Sequence, residues 1–288
     1  MGINKNTLRF LLLAKKNGVD FSQTAVIGRQ TLNMPQEHFL EVMEKESGLN
    51  VKHDDLVEIY KFRFADKLFS ILGATQYESF DYSDFEQATH LHDFNEPIAD
   101  QFKNRYTLVI DGGSLEHVFN FPVSISNCMQ MVKANGHFIS VTPANNNFGH
   151  GFYQFSPELF YRVLNSENGY NVKSMYYYDN KFSKNWMSVV DPDKLKKRGY
   201  LVNSTPTMLI LLAQREAIVP LFKNSPQQSD YQVAWKEKAP NKKAGKSLKS
   251  KIASAIPMTY KVWFTNKFKS GPNPEFFKKV DIVDLLRR

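Results

Sequence analysis

The sequence has few of the features that mark secreted, metal-clustered or membrane-spanning proteins. Its 288 residues include one cysteine, Cys128, which excludes an internal disulfide and a cysteine-based metal cluster. Cys128 lies in the apolar stretch VSISNCMQMV, which predicts a buried structural thiol. No apolar run reaches the roughly 20 residues that a membrane-spanning helix needs. The lack of disulfides fits a reducing compartment, and we expect a cytoplasmic protein.

Negative charge is scarce in one segment, where most of the net charge of +8 collects. Residues Lys236–Lys251 carry seven lysines against one glutamate, so the rest of the chain is nearly balanced. A nucleic-acid enzyme more often carries a basic patch on its folded domain, so we expect no nucleic-acid partner. Together with the amphipathic stretch Ile256–Phe268, the lysines could hold residues 236–268 against an anionic membrane surface. They could equally form a solvated linker and a packing arm.

Alternating strand and helix patterns predict an α/β fold. Asn4–Asn17 is expected to be an amphipathic helix, Thr24–Gly28 a buried strand, and the residues after Pro35 a second helix. Strand, turn and helix in this order open a doubly wound fold. Continuous apolar runs predict further buried strands at Tyr106–Gly113 and His137–Pro143.

The later part of the chain predicts an antiparallel end to this sheet. Strands are expected at Asn171–Tyr178 and Thr207–Gln214, with a long polar loop and no crossover helix between them. We therefore expect a doubly wound, mostly parallel, seven-stranded sheet with an antiparallel last strand. Residues 1–216 would form this Rossmann-like domain, with a small insertion at 48–64. Residues 217–288 would form a C-terminal extension of linker, lysine-rich segment and amphipathic arm.

Two stretches carry a resemblance to a known family. YTLVIDGGSLEHV (106–118) and KANGHFISVTP (133–143) are similar to the second half of class I (Rossmann-like) S-adenosylmethionine-dependent methyltransferases. There, an apolar strand ends in aspartate, a Leu-Glu-His-Val segment follows, and a lysine-x-x-glycine turn precedes a strand and a proline. The resemblance covers roughly Thr24–Arg215 and implies S-adenosylmethionine as cofactor. The first half departs from the pattern, because the turn IGRQTLNM has Gly28 alone where the family has a glycine-rich turn.

The expected cofactor site lies where the strands end. In open α/β sheets, ligands bind outside the carboxyl ends of the strands. By the resemblance, Asp81 would hold the ribose hydroxyls, Asp93 the adenine amino group, and Asp111 the amino-acid or sulfonium end. Each aspartate could instead cap a helix or a turn. The full cofactor-binding set implied is Gly28, Arg29, Gln30, Asp81, Asp93, Phe94, Asp111 and Gly112.

Histidines are the candidate catalytic groups. Methyl transfer from a sulfonium is an in-line displacement, and a hydroxyl acceptor benefits from a general base within hydrogen-bond reach. His117 in SLEHV and His150 in the loop NNNFGHGFYQF are the candidates, with Tyr153 beside the latter. His117 could instead be a structural residue that bonds the backbone. His90 and His92 alternate on one strand without a third ligand, so no metal site is expected.

The sequence thus predicts an S-adenosylmethionine-dependent methyltransferase that O-methylates a small molecule or a glycan with the help of a histidine base. The alternative is a non-catalytic, methyltransferase-like protein that binds a partner and has lost the cofactor together with the glycine-rich turn. A third hypothesis is an RNA methyltransferase that uses the lysine-rich segment for phosphate contacts. The sequence does not indicate the oligomeric state.

Overall fold

The structure is a computed structural model that describes residues 2–179, 185–196, 199–231, 271–272 and 274–287. Residues 236–268, the lysine-rich and amphipathic segments, lie outside these ranges. The membrane contact expected of them therefore stays a prediction.

A nine-stranded sheet forms the centre of the described chain. In chain order its strands are β1 (Gln23–Ile27), β2 (Gln76–Asp81), β3 (His90–Leu91), β4 (Tyr106–Asp111), β5 (Val132–Asn145), β6 (Tyr170–Asp179), β7 (Asn185–Val189), β8 (Thr207–Arg215) and β9 (Phe277–Asp281). In space the order is β3-β2-β1-β4-β5-β8-β6-β7-β9. The first five strands in this spatial order, from β3 through β2, β1 and β4 to β5, pair in parallel. Strand β8 pairs antiparallel with both β5 and β6. Strands β7 and β9 extend the antiparallel end.

Apolar side chains cover both faces of this sheet. In β1, Val26 packs into one hydrophobic cluster, and its neighbours Ala25 and Ile27 pack into the other. All six residues of β4 are buried, as expected for a strand between two helical layers. Cys128 is fully buried in one of these layers, as its apolar surroundings predict.

Side chains cap the first turns of helices α1 and α6. The helices are α1 (Lys5–Lys16), α2 (Gln36–Leu40, continued as a wider π-turn over Glu41–Glu46), α3 (His53–Phe62), α4 (Asp66–Ile71), α5 (Phe121–Met131), α6 (Pro157–Val163), α7 (Pro192–Leu195) and α8 (Ile282–Arg287). The Asn4 side chain accepts hydrogen bonds from the N–H groups of Asn6 and Thr7 and so caps α1. At α6, Ser156 accepts from Leu159 N and Pro157 holds the first helical position.

The expected α/β fold is confirmed, but the sheet has more strands than the seven predicted. The additional strands, β7 and β9, flank the antiparallel end, and β7 lies in the stretch that the sequence indicated as a polar loop. Strand β9 belongs to the predicted C-terminal extension, yet it pairs with β7 in the same sheet. Helix α8 follows it back to α1, where Lys16 Nζ donates to the carbonyl of Leu286 at 2.7 Å. No described helix is long and apolar enough to cross a membrane.

Strand order places a crevice between β1 and β4. The chain runs from β1 outward to β2 and β3, then returns to β4 on the other side of β1. Loops that leave the carboxyl ends of β1 and β4 therefore diverge, and ligands of doubly wound sheets bind in the gap between them.

Candidate functional site

A cavity of about 300 Å³ opens at this switch point. It is lined by the loops that follow β1, β2, β3 and β4. Six of the eight residues expected to bind the cofactor line it: Gly28, Arg29, Gln30, Asp81, Asp93 and Phe94. The histidine candidate His117 lines the same cavity. Residues far apart in the chain thus converge on one concave site.

The turn after β1 is held by a side chain. Gln30 is 3% exposed, and its Nε2 donates to the carbonyls of Ile27 at 3.2 Å and Gly28 at 3.0 Å. Gly28 has a φ of +71°, which favours glycine, and its N–H donates to the carbonyl of Phe80 in β2. Gly112 lies directly behind Gln30, since a Cβ there would come within 2.2 Å of Gln30 Oε1. The amide of Gln30 therefore braces a turn that has one glycine.

The Arg29 side chain binds the start of α4 and the loop after β2. Its Nη2 lies 2.5 Å from Asp66 Oδ2, and its Nη1 donates to the carbonyl of Glu86 at 3.0 Å. The guanidinium also lies 3.9 Å from the ring centroid of Phe64. Because its charge is already compensated by Asp66, Arg29 shapes the cavity wall and adds little free positive charge to it.

Asp81 and Asp93 present carboxylates at the cavity with one oxygen engaged by the backbone. Oδ1 of Asp81 accepts from Tyr82 N at 2.7 Å, and Oδ1 of Asp93 accepts from Asn95 N at 2.9 Å. The hydrogen bonds from the Asn95 backbone and side chain hold the pKa of Asp93 below its usual value. Phe94 is 5% exposed and packs edge-on against Phe80.

Asp111 and Gly112 lie behind the cavity wall. Asp111 is fully buried, and its Oδ1 accepts from Ser114 N at 2.9 Å while its Oδ2 accepts from Ser140 Oγ at 2.7 Å. Burial raises the pKa of Asp111, against the opposing effect of these bonds. Oδ1 of Asp111 also accepts from Leu115 N at 3.2 Å, so this carboxyl group caps the short 3-10 turn Leu115–His117. The sulfonium contact expected of Asp111 stays a prediction.

The turn Leu115–His117 brings a carboxylate beside both histidine candidates. Glu116 is fully buried, and neither of its carboxylate oxygens has a hydrogen-bond partner. His150 Nε2 lies 3.6 Å from Glu116 Oε1, and the rings of His117 and His150 lie 5.0 Å apart, edge to face. Burial and the negative charge of Asp111 raise the pKa of Glu116 to about 8. Burial and the nearby His150 lower the pKa of His117.

Sequence reasoning missed Glu116. Glu116 lies in the LEHV segment, directly before the candidate base His117, and this position was the one sequence signal that it belongs to the site. Its lack of partners depends on the surrounding packing, which the sequence does not display.

The glycine-flanked loop after β5 folds over this turn. The N–H groups of Phe152 and Tyr153 both point to the carbonyl of Glu116, at 2.8 and 3.3 Å. Gly151, with a φ of +72°, passes so close that a Cβ would lie 2.7 Å from the same oxygen. The hydroxyl of Tyr153 donates to the carbonyl of Phe119 at 2.6 Å, which engages its proton in holding the loop. Its catalytic role stays a prediction.

The strand histidines are paired separately. His90 Nε2 lies 3.0 Å from Glu78 Oε2, and His92 Nε2 lies 3.1 Å from the carbonyl of Glu96. Strand β3 spans two residues, so the two histidines do not form one strand face.

In sequence, the chain matches no protein-family profile and no curated protein. In structure, it is similar to an S-adenosylmethionine-dependent methyltransferase from Mesorhizobium loti, with 10% identity over 74% of this chain and 98% of that chain and a TM-score of 0.41. It is also similar to the trans-methyltransferase CalH in complex with SAH, with 10% identity over 73% and 57% of the two chains and a TM-score of 0.38. A third similar structure is a branched-chain polyamine synthase mutein from Thermus thermophilus in complex with N4-aminopropylspermidine and 5'-methylthioadenosine, with 12% identity over 78% and 62% and a TM-score of 0.36.

Many of the similar structures are S-adenosylmethionine-dependent methyltransferases. At these identities and scores, the similarity carries no conclusion about the activity of this chain.

Proposed function

We propose that this chain is an S-adenosylmethionine-dependent methyltransferase that binds its cofactor in the switch-point cavity. The observation that carries the proposal is the convergence of Gly28, Asp81, Asp93 and Phe94 on one cavity from three separate loops. Strand order supports it, because β1 and β4 flank the place where doubly wound sheets bind nucleotide-like ligands.

The charges of the cavity suit a cationic cofactor. Asp81 and Asp93 line it, and the lining cation Arg29 is compensated by Asp66. S-adenosylmethionine carries a sulfonium and an ammonium group, and negative side chains attract both. Asp81 would accept hydrogen bonds from the ribose through the oxygen that its own loop does not engage. Asp93 would accept from the adenine amino group, with Phe94 beside the ring.

The proposed reaction is O-methylation of a small molecule or a glycan, and exposed aromatic rings beside the candidate base support such an acceptor. The rings of Phe119 and Phe152 are 72% and 66% exposed and lie edge to face beside the histidines. Exposed aromatic rings of this kind pack against the face of a sugar or another flat group. His150, on its exposed loop, is the proposed base for a hydroxyl acceptor, and its Nε2 lies 3.6 Å from Glu116 Oε1.

Catalysis would then be an in-line displacement. The hydroxyl proton passes to the histidine, the oxygen bonds to the methyl carbon, and the carbon–sulfur bond breaks with its electron pair going to sulfur. The products are a methyl ether and S-adenosylhomocysteine, and positioning by the cavity supplies most of the rate.

The alternative is a non-catalytic protein that kept the fold. It is favoured by the turn after β1, where the Gln30 side chain occupies the space over Gly112. If that side chain blocks the methionine portion of the cofactor, the cavity would serve a different ligand or none.

Calorimetric titration with S-adenosylmethionine and S-adenosylhomocysteine separates the two functions. We expect micromolar binding that Asp81→Ala weakens at least tenfold. Asp84→Ala is the matched control, because Asp84 is exposed in the same loop and does not line the cavity. Failure of the wild-type protein to bind either compound would contradict the proposal and make the non-catalytic alternative the leading one.

A further inference from the structure

The Glu116 carboxylate has no adequate partner within the described chain. Its side chain is 0% exposed, and both oxygens lack a hydrogen bond of ordinary length and angle. The buried hydroxyl of Thr142, near this carboxylate, also has no such bond. An ionised carboxyl group buried without partners is costly, so such a group either takes up a proton or pairs with a cation.

A second carboxyl group is buried close to Glu116. Asp111 ends β4 just before the turn of Glu116, is fully buried, and is engaged by the hydroxyl of Ser140 and by backbone N–H groups. Among the described residues, no lysine or arginine forms an ion pair with Glu116 or Asp111. A cation bound beside Glu116 would take the place of the proton that burial otherwise favours.

The imidazoles of His117 and His150 lie beside the Glu116 carboxyl group. One nitrogen each from His117 and His150 and one oxygen of Glu116 lie within 4.8 Å of one another. The Glu116 Oε1 to His150 Nε2 distance of 3.6 Å is near the separation of about 3.4 Å expected for ligands placed about 2.1 Å from a tetrahedral metal ion. The contact is longer than a direct hydrogen bond, which leaves room for an ion between the two atoms.

We propose that Glu116, His117 and His150 bind a divalent transition-metal ion. Two histidine nitrogens and one carboxylate oxygen are a donor set that Zn²⁺ and related ions accept, with coordination positions left open. Both histidines are at the surface, so an ion has access from solvent.

A comparison within the molecule shows what a satisfied carboxylate and histidine pair looks like. Glu78 also contacts a histidine, His90, at 3.0 Å. It is additionally paired with Arg105 at 2.6 Å, and it accepts a hydrogen bond from Tyr106. The pair at Glu78 has no vacant carboxylate oxygen and needs no ion, in contrast to Glu116.

The use of the metal rests on the proposed function, although metal binding itself does not. His117 lines the cofactor cavity, so the ion would lie at its edge, where an acceptor hydroxyl meets the methyl group. Such an ion would supply Lewis-acid chemistry: coordination would lower the pKa of the acceptor hydroxyl, whose proton would pass to water. The oxygen would then attack the methyl carbon, and sulfur would keep the electron pair of the broken bond. In the metal-loaded protein the two histidines would be ligands, and no histidine base would be needed.

The test is metal binding to the full chain after removal of metals with a chelator. Co²⁺ is titrated while its visible absorption is recorded, and Zn²⁺ is titrated by calorimetry. We expect one equivalent of each, and affinities at least tenfold weaker in Glu116→Gln, His117→Ala and His150→Ala. His53→Ala is the control for adventitious histidine binding, because His53 is exposed at the start of α3, outside the cluster.

Thermal melting of every variant checks that it folds, and Glu116→Gln keeps the size of the buried side chain. Absence of Co²⁺ and Zn²⁺ binding, or binding that all three variants leave unchanged, would overturn the proposal. Metal binding by a protein that does not bind S-adenosylhomocysteine would refute the proposed function and leave the metal site standing. Binding of S-adenosylhomocysteine without metal binding would overturn the metal site and leave the proposed function standing.

Discussion

The side-chain amide of Gln30 lies against the α-carbon of Gly112 so closely that position 112 has no room for a side chain. A Cβ at Gly112 would lie 2.2 Å from Gln30 Oε1. This contact joins the loop after β1 to the end of β4 and thereby sets the width of the cavity between them.

Gly112→Ala should weaken S-adenosylhomocysteine binding at least tenfold, because the new methyl group would displace Gln30 from the turn that it braces. Adding Gln30→Ala to this variant removes the clash. We expect the double variant to bind better than the sum of the two single losses predicts. Calorimetric affinities of the four proteins measure this coupling, and strictly additive losses would contradict it.

Two glycines of the loop after β5 should differ in their tolerance of alanine. Gly149 and Gly151 both have positive φ, but a Cβ at Gly149 meets nothing within 4 Å, whereas one at Gly151 would lie 2.7 Å from Glu116 O. Gly149→Ala should cost the backbone strain of about 1–2 kcal/mol. Gly151→Ala should cost at least about 1 kcal/mol more, because overpacking adds to that strain. Urea unfolding compares them, and equal free energies of unfolding would show that the loop is not docked on Glu116.

The buried ion pair beneath α1 should be a major element of stability. Arg9 Nε and Nη2 contact both carboxylate oxygens of Glu46 at 2.7 and 2.6 Å, and both side chains are almost fully buried. Glu46→Ala should lower the free energy of unfolding by about 3–5 kcal/mol, because it leaves Arg9 charged and unpaired. Asp100→Ala, which breaks the exposed pair with Lys103, is the control and should cost much less, because water and salt screen exposed ion pairs. Similar losses in both variants would be unexpected.

Glu78 should make the fold sensitive to acid. Burial would raise its pKa, but hydrogen bonds from Tyr106, Gln76 and His90 and the charge of Arg105 outweigh burial and lower it. A lowered pKa in the folded state contributes stability above the pKa of the unfolded chain, and this contribution disappears as the pH falls through the folded value.

We therefore expect the free energy of unfolding to fall more steeply below about pH 4.5 in the wild-type protein than in Glu78→Gln. Urea unfolding between pH 3 and pH 7 measures the two slopes. Parallel slopes would mean that Glu78 titrates alike in the folded and unfolded chain.

Local signals in the sequence determined the starts of some helices and the position of the most buried strand. Asn4 before a helical pattern, Pro157 after Ser156, and the apolar run of β4 each act within a few neighbouring residues, so their consequences can be predicted from the sequence. The expected carboxyl-end positions of Asp81 and Asp93 follow from the same strand assignments. These positions are enough to predict the α/β fold and most of the cavity lining.

Tertiary structure decided what the short edge strands and the Glu116 turn do. Strand β9 pairs with β7 across a long sequence separation, and neither has a local pattern strong enough to predict the pairing. The burial of Glu116, its lack of partners and its closeness to His150 depend on a loop that returns from β5 to cover it. The sequence by itself determined the buried central strands and the capped helix starts. Only packing between distant segments decided which carboxylate was removed from water and which side chains now surround it, because desolvation depends on the whole surrounding fold.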